Sequence, residues 1–143
     1  MKKHALRHIL FVAALLAPIA VAAGEAGVAR ISPAEAAAQM RAGKAIVIDV
    51  RERDELDAGM AQGARWYPTS SIQSDPGSFE KFIASLPEDQ TVVFYCAAGV
   101  RAGRAAEIAT KEAGRKAANL GGFKDWKGAG LPVTTPAKTL SPG

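Results

Sequence analysis

The chain has a single cysteine, Cys96, and six residues separate it from a permanent cation inclusively: Cys96-Ala97-Ala98-Gly99-Val100-Arg101. The thiolate is the nucleophilic form of cysteine, and it is stabilised by cations and by the unpaired amides at a helix N-terminus. The flanking residues put Cys96 at such a point. Thr91-Val92-Val93-Phe94-Tyr95 is β-branched and aromatic and predicts a buried strand, while Arg101 to Ala113, closed by Gly114, predicts a helix. The available chemistry is nucleophilic attack by Cys96, with the amides of Ala97, Ala98, Gly99, Val100 and Arg101 as a cradle for negative charge. Gly99 permits the tight turn this needs. Arg101 suits either contact with an anion or an ion pair with Asp49 or Glu55, and its residue type does not choose. A free cysteine is often buried and inert, but one between a strand, a glycine-containing loop and a helix is better placed to react.

A second group of charges stands at Asp49, Arg51 and Glu55. Ala45 to Val50 is a continuous apolar run apart from Asp49, as expected of a parallel strand covered on both faces. Asp49 and Arg51 are expected to support the loop, because a carboxylate beside a thiolate opposes its ionisation. Trp66, Tyr67 and Trp126 are expected in packing roles, and Arg104 on a solvated helix face.

These residues need a scaffold, and the chain predicts one. Val28 to Ile31 reads as a short first strand. Ser32, Pro33 and Glu35 open a helix that runs to Arg41 before Gly43. Glu52 to Ala58 predicts a short helix, Ala64 to Pro68 a short strand and Thr69 to Gly77 a loop. Ser78 is the expected cap of a helix with Phe79, Phe82, Ile83 and Leu86 on one face. Ala117 to Leu120 predicts the last strand, Gly121-Gly122 a turn, Phe123 to Lys127 a short helix, and the tail from Leu131 a loose end. Strands alternating with helices predict one α/β domain with a mainly parallel sheet, whose ligands gather beyond the carboxyl ends of the strands. Asp49, Arg51 and Cys96 should meet there.

The first residues have a different character. A basic stretch from Met1 to His8 precedes an apolar run of 15 residues, Ile9 to Ala23, that ends in small residues. This is the three-part pattern of a secretory signal peptide, and the run is shorter than the ~20 residues of a usual membrane span. A cleaved leader over residues 1–23 and a domain over 24–143 are expected, with a periplasmic location and no membrane attachment after cleavage. Removal of Lys2, Lys3 and Arg7 leaves 15 basic against 14 acidic residues. No basic run then argues for nucleic acid. His4 and His8 leave as well, so the domain has no Cys–His dyad and no His/Cys metal site. No cofactor is expected.

Three blocks together resemble the rhodanese (thiosulfate sulfurtransferase) family. Asp49-Val50-Arg51 with Glu52, Glu55, Gly59, Gly63 and Ala64 resembles its first block. Val93-Phe94-Tyr95-Cys96 with Gly99 and Arg101 resembles its active-site loop. Leu120-Gly121-Gly122-Phe123 with Trp126, Gly128 and Pro132 resembles its C-terminal signature. The blocks span about residues 28–133, nearly the whole domain. The resemblance implies a five-stranded, mainly parallel sheet flanked by helices. It also implies transfer of a sulfane sulfur from a small donor, through a persulfide on Cys96, to a thiol or cyanide. Ala97 to Arg101 would bind substrate, and Asp49, Arg51 and Glu55 would support the loop. Met60-Ala61 follows Gly59 where the family often has His-Ile, and the loop interior lacks a charged side chain, which leaves the donor open. Two rival readings stand beside it. One is a non-catalytic module that binds, or carries sulfur to, a periplasmic protein partner. The other is a cysteine phosphatase, although phosphatase loops of related architecture hold one more residue between cysteine and arginine.

Overall fold

The computed structural model describes residues 27–143, and the leader expected over 1–23, with His4 and His8, lies outside them. Strand β1 (Ala29–Arg30) leads to helix α1 (Pro33–Arg41). Ser32 caps α1 as predicted, its hydroxyl accepting from the Glu35 N–H at 3.2 Å. Strand β2 (Ala45–Asp49) is followed by the expected short helix, which is of 3-10 type, at Arg53–Ala58. Gly59 closes this segment after six residues, and its N–H bonds three residues back, to the Leu56 carbonyl at 2.9 Å. The chain continues through β3 (Met60–Ala61), β4 (Arg65–Trp66), α2 (Thr69–Ser74) and α3 (Pro76–Ser85). Strand β5 (Thr91–Cys96), α4 (Val100–Lys111), β6 (Ala117–Gly122), α5 (Phe123–Gly128) and β7 (Val133–Thr134) complete it.

Five strands form one sheet in the order β1-β6-β5-β2-β4, and every pairing in it is parallel. This is the predicted α/β architecture, with the cysteine strand at the centre. Residues of a strand alternate between faces, and β5 shows this directly. Val92, Phe94 and Cys96 pack with Phe79, Ile83 and the α4 alanines 102, 105, 106 and 109. Val93 and Tyr95 pack on the other side with Ala36, Ala37, Phe123 and Trp126. A helix presenting alanine at four buried positions lies close to the sheet. That brings the start of α4 directly onto the end of β5.

Three expectations are corrected. Thr69 to Gly77 is not a loop: Pro68 and Asp75-Pro76 each open a helix, and buried Ile72 anchors the first of them. Asp75, not Ser78, caps α3, accepting from the Ser78 N–H at 3.0 Å and its hydroxyl at 2.6 Å. The tail is not loose. Strand β7 pairs antiparallel with β3, Leu140 packs against Leu56, Met60 and Trp66, and the Gly143 N–H reaches the Trp66 carbonyl at 3.0 Å. Among the described residues, no helix is long and apolar enough to cross a membrane.

Candidate active site

Cys96 is the last residue of β5 and stands opposite Gly122 of β6. Its side chain is buried, 2 % exposed, and its Sγ accepts a hydrogen bond from the Gly99 N–H at 3.0 Å. This contact requires the chain to double back within three residues. Gly99 supplies the turn at φ 104°, a conformation that side chains with a Cβ rarely adopt. Gly99 also caps α4, its carbonyl accepting from the Gly103 N–H at 2.9 Å. The helix thus begins beside the sulfur. Among the described residues, the amides of Ala97, Ala98, Val100 and Arg101 have no hydrogen-bond acceptor. The loop therefore carries four further N–H donors without an acceptor beside the positive end of a twelve-residue helix.

Asn119 holds this loop in place, and the sequence reading missed it. Its amide donates to the Gly99 carbonyl at 2.9 Å, and its oxygen accepts from the Gly121 N–H at 2.9 Å. The register of β5 against β6 slips by one residue here, pairing Phe94 with Asn119 but Tyr95 with Gly121. The bulge lets a buried side chain serve both its own strand and the neighbouring loop. A lone polar residue inside Ala117-Ala118-Asn119-Leu120 was the available signal.

The carboxyl ends of β2 and β5 bring the other charged block to the same edge, as expected. Asp49 and Arg51 form a buried pair, 0 % and 3 % exposed, with Arg51 Nη2 2.7 Å from Asp49 Oδ2. The Arg51 guanidinium also donates to the carbonyls of Glu55 and Gly59, at 3.1 and 2.7 Å, and stacks 4.1 Å from the Phe123 ring centre. Burial works against its charge, but the Asp49 hydrogen bond and charge outweigh this and hold Arg51 above its ordinary value. Tyr95 donates to Asp49 Oδ2 at 2.5 Å and accepts from the Ala61 N–H at 3.0 Å. Burial, and then the Asp49 charge, push the Tyr95 phenol up, so it stays a neutral donor. Asp49 and Arg51 thus tie β2, β5 and the 3-10 segment together.

Arg101 takes the ion-pair role. Its guanidinium grips Glu55 with two hydrogen bonds, 2.6 and 2.7 Å, and the two side chains are 28 % and 29 % exposed. The Arg101 hydrogen bond draws Glu55 down to about 2, with the Glu52 backbone N–H helping. Glu55 in turn holds Arg101 above its ordinary value, and the neighbouring Cys96 sulfur adds to this. The pair bridges the Asp49-Val50-Arg51 block to the cysteine loop. Trp66, Tyr67 and Trp126 are buried packing residues as expected, the first donating to the Arg51 carbonyl at 2.8 Å.

A shallow cleft of about 310 Å³ opens beside the loop, lined by Arg51, Glu55, Ala58, Ala97, Phe123, Lys124 and Lys127. A larger hollow of about 730 Å³ lies at the opposite end of the strands, around Thr91, Lys116 and Ala117, and contains no thiol. The smaller cleft adjoins the thiol loop through Ala97, the residue next to Cys96. Among the described residues, no group of three or more His, Cys, Asp or Glu side chains could hold a metal.

Comparison with known proteins gives the same picture. Residues 32–129 match the model of the rhodanese-like domain. The uncharacterized protein YqhL of Bacillus subtilis is 39 % identical over 93 residues, covering 63 % of this chain and 68 % of that one. The human thiosulfate:glutathione sulfurtransferase is 32 % identical over 109 residues, covering 71 % of this chain and 95 % of that one. Among solved structures, a rhodanese-related protein of Thermoplasma volcanium superposes with a TM-score of 0.61 at 25 % identity, covering 76 % of this chain and 99 % of that one. The parallel five-stranded sheet, the thiol at its central strand end and the match over residues 32–129 agree, and the chain belongs to the rhodanese-like domain family.

Proposed function

We propose that the protein is a sulfurtransferase that carries a sulfane sulfur on Cys96. The observation that supports this most directly is the Gly99 N–H bonded to Sγ at 3.0 Å, in a loop whose other amides have no acceptor among the described residues. In the first step the Cys96 thiolate attacks the outer sulfur of a donor such as thiosulfate, polysulfide or another persulfide. With thiosulfate, a new S–S bond forms at Cys96, the donor S–S bond breaks, and sulfite leaves with the electron pair. In the second step a thiolate or cyanide attacks the terminal sulfur of the persulfide, and the Cys96 thiolate is released. Neither step needs a side-chain base, because both nucleophiles react as anions. The amides of Ala97 to Arg101 would first stabilise the thiolate and then the terminal sulfur. The reaction is proposed to run in the periplasm, on the strength of the leader expected at residues 1–23.

One observation favours a second reading, a module that presents the loop to a partner protein. Val100, next to the cradle, is 68 % exposed, and Ala97 and Ala98 are exposed too, so the loop tip is small and apolar. A phosphatase reading gains no such support, since only four residues separate Cys96 from Arg101 and Arg101 is engaged by Glu55. The test is intact-mass analysis after incubation with thiosulfate, mercaptopyruvate or polysulfide, followed by thiocyanate assay with cyanide. Wild type should gain the mass of one sulfur atom and lose it to cyanide, and Cys96→Ser should do neither. Wild-type protein that takes no sulfur from any donor and makes no thiocyanate would overturn the proposal.

A further inference from the structure

The two arginines at the site are occupied by carboxylates, Arg51 by Asp49 and Arg101 by Glu55. The cations facing the cleft without a counter-charge are Lys124 and Lys127 of α5. Both are exposed, and neither forms an ion pair among the described residues. Asp125 stands between them in sequence, but its Oδ2 accepts from the Gly122 N–H at 2.8 Å. Lys127 Nζ lies 5.0 Å from the centre of the Phe123 ring, which also carries Arg51 at 4.1 Å. With the two arginine–carboxylate pairs neutral, the cleft wall carries two net positive charges.

We infer that Lys124 and Lys127 recognise the carboxylates of an acceptor thiol that lies in the cleft beside Cys96, an inference that rests on the sulfurtransferase reading. The size of the cleft and the place of the lysines on α5, outside the cysteine loop, assign them to the acceptor. In thiosulfate the charge is one bond from the transferred sulfur, so it falls among the loop amides. A charge met on α5, across the cleft lining from Ala97, belongs to the part of a longer molecule that lies outside the loop. The cleft of about 310 Å³ is at the small end of the usual range for organic ligands, roughly 300–1,000 Å³, and is oversized for cyanide. Transfer balances as before: the acceptor thiolate bonds to the terminal sulfur, and the Cys96 thiolate leaves.

The test is the double charge reversal K124E/K127E, with K124A/K127A as the intermediate step. Protein loaded from thiosulfate is offered mercaptosuccinate, which bears two carboxylates, or the cationic thiol cysteamine. Taking each variant-to-wild-type ratio cancels the intrinsic nucleophilicity of the thiols. Charge reversal should lower kcat/KM for mercaptosuccinate relative to cysteamine on the order of tenfold, mainly through KM. A second measurement needs no turnover: alkylation of the single thiol by maleimidopropionate, relative to neutral N-ethylmaleimide, should fall in the same direction. If wild type makes thiocyanate but neither ratio moves, the inference is overturned and the sulfurtransferase reading stands. If wild type neither takes nor transfers sulfur, that reading and the acceptor assignment fall together, while the maleimide ratio still reports whether the lysines attract carboxylates.

Discussion

Gly122 faces Cys96 across the β5–β6 ladder, and a single methyl group there is expected to disable the thiol loop. The Gly122 backbone, at φ −110° and ψ 155°, is ordinary extended geometry, so alanine adds no torsional strain. The obstacle is contact. An added Cβ would stand 2.3 Å from the Ala97 carbonyl oxygen, 3.0 Å from its carbon and 3.3 Å from the Ala98 Cα. Ordinary contact begins at 3.4 Å, so the loop must retreat by about 1 Å. Overpacking of this kind costs about 1–3 kcal/mol. For a domain of this size that lowers Tm by roughly 3–10 °C. The effect on chemistry is expected to be larger, because a reacting group misplaced by about 1 Å loses roughly 100-fold in rate, and Ala97 adjoins Cys96. The assay is thiosulfate:cyanide turnover of Gly122→Ala beside its melting curve and its rate of alkylation at Cys96. Turnover and alkylation should both fall while the cooperative melt persists. A variant with wild-type turnover, whatever its Tm, would show that β6 yields instead of the loop and would refute the reasoning.

Two further outcomes test the surrounding framework. Glu55 titrates at about 2 in the fold against an ordinary 4.5, so its contribution to stability is fully present above pH 4.5 and is lost as pH falls through about 2. Linkage limits that contribution to about 3 kcal/mol, and screening of a pair 28–29 % exposed reduces it to about 1–2 kcal/mol. The urea midpoints of wild type and Glu55→Gln should therefore differ at pH 7 and converge toward pH 2; a gap independent of pH would count against the ion pair. Arg115, buried at the other end of the sheet, donates to the carbonyls of Ile83, Leu86 and Pro87 at 2.6, 2.9 and 2.5 Å. Arg115→Met strands these acceptors behind α3 and should cost about 2–4 kcal/mol in urea unfolding with sulfur transfer unchanged; an equally stable variant would deny the arginine its capping role.

The elements that carry the site were legible because their signals are local. Ser32-Pro33 opens α1, and the β-branched run before Cys96 and the alanine face after it define β5 and α4. Where the reading slipped, two local signals competed or the partner was distant. Asp75 and Ser78 are both good caps, and the adjacent Pro76, suited to a first helical position, decided for Asp75. The strand character of Val133–Thr134 depends on Met60–Ala61, more than seventy residues earlier, and no local pattern reports it. Asn119 stood out as a lone polar residue in an apolar strand, but its role was not legible, since it is set by the Gly99 carbonyl on another element. Arg101 was open between two roles because residue type alone permits both; the position of Glu55 after β2 decides between them.

The pairing of both arginines bears on how the proposed thiol chemistry would proceed among described residues that include no histidine. A free guanidinium would attract an anion but could swing away from it and would be screened by solvent. Arg101, fixed by two hydrogen bonds to Glu55, stays beside Cys96, but the Glu55 charge cancels most of its field at a distance. The Asp49–Arg51 pair is likewise neutral as a unit and is committed to holding strand ends together. What then meets negative charge at the sulfur is the backbone: the Gly99 N–H and the unengaged amides around it, fixed by the Asn119 clamp and the start of α4. In the proposed reaction such donors would cost no reorganisation as the thiolate became a persulfide, because the charge would move by one sulfur atom beside the same loop. Side-chain charge is then left for the periphery, where Lys124 and Lys127 can select among acceptors without disturbing the thiol.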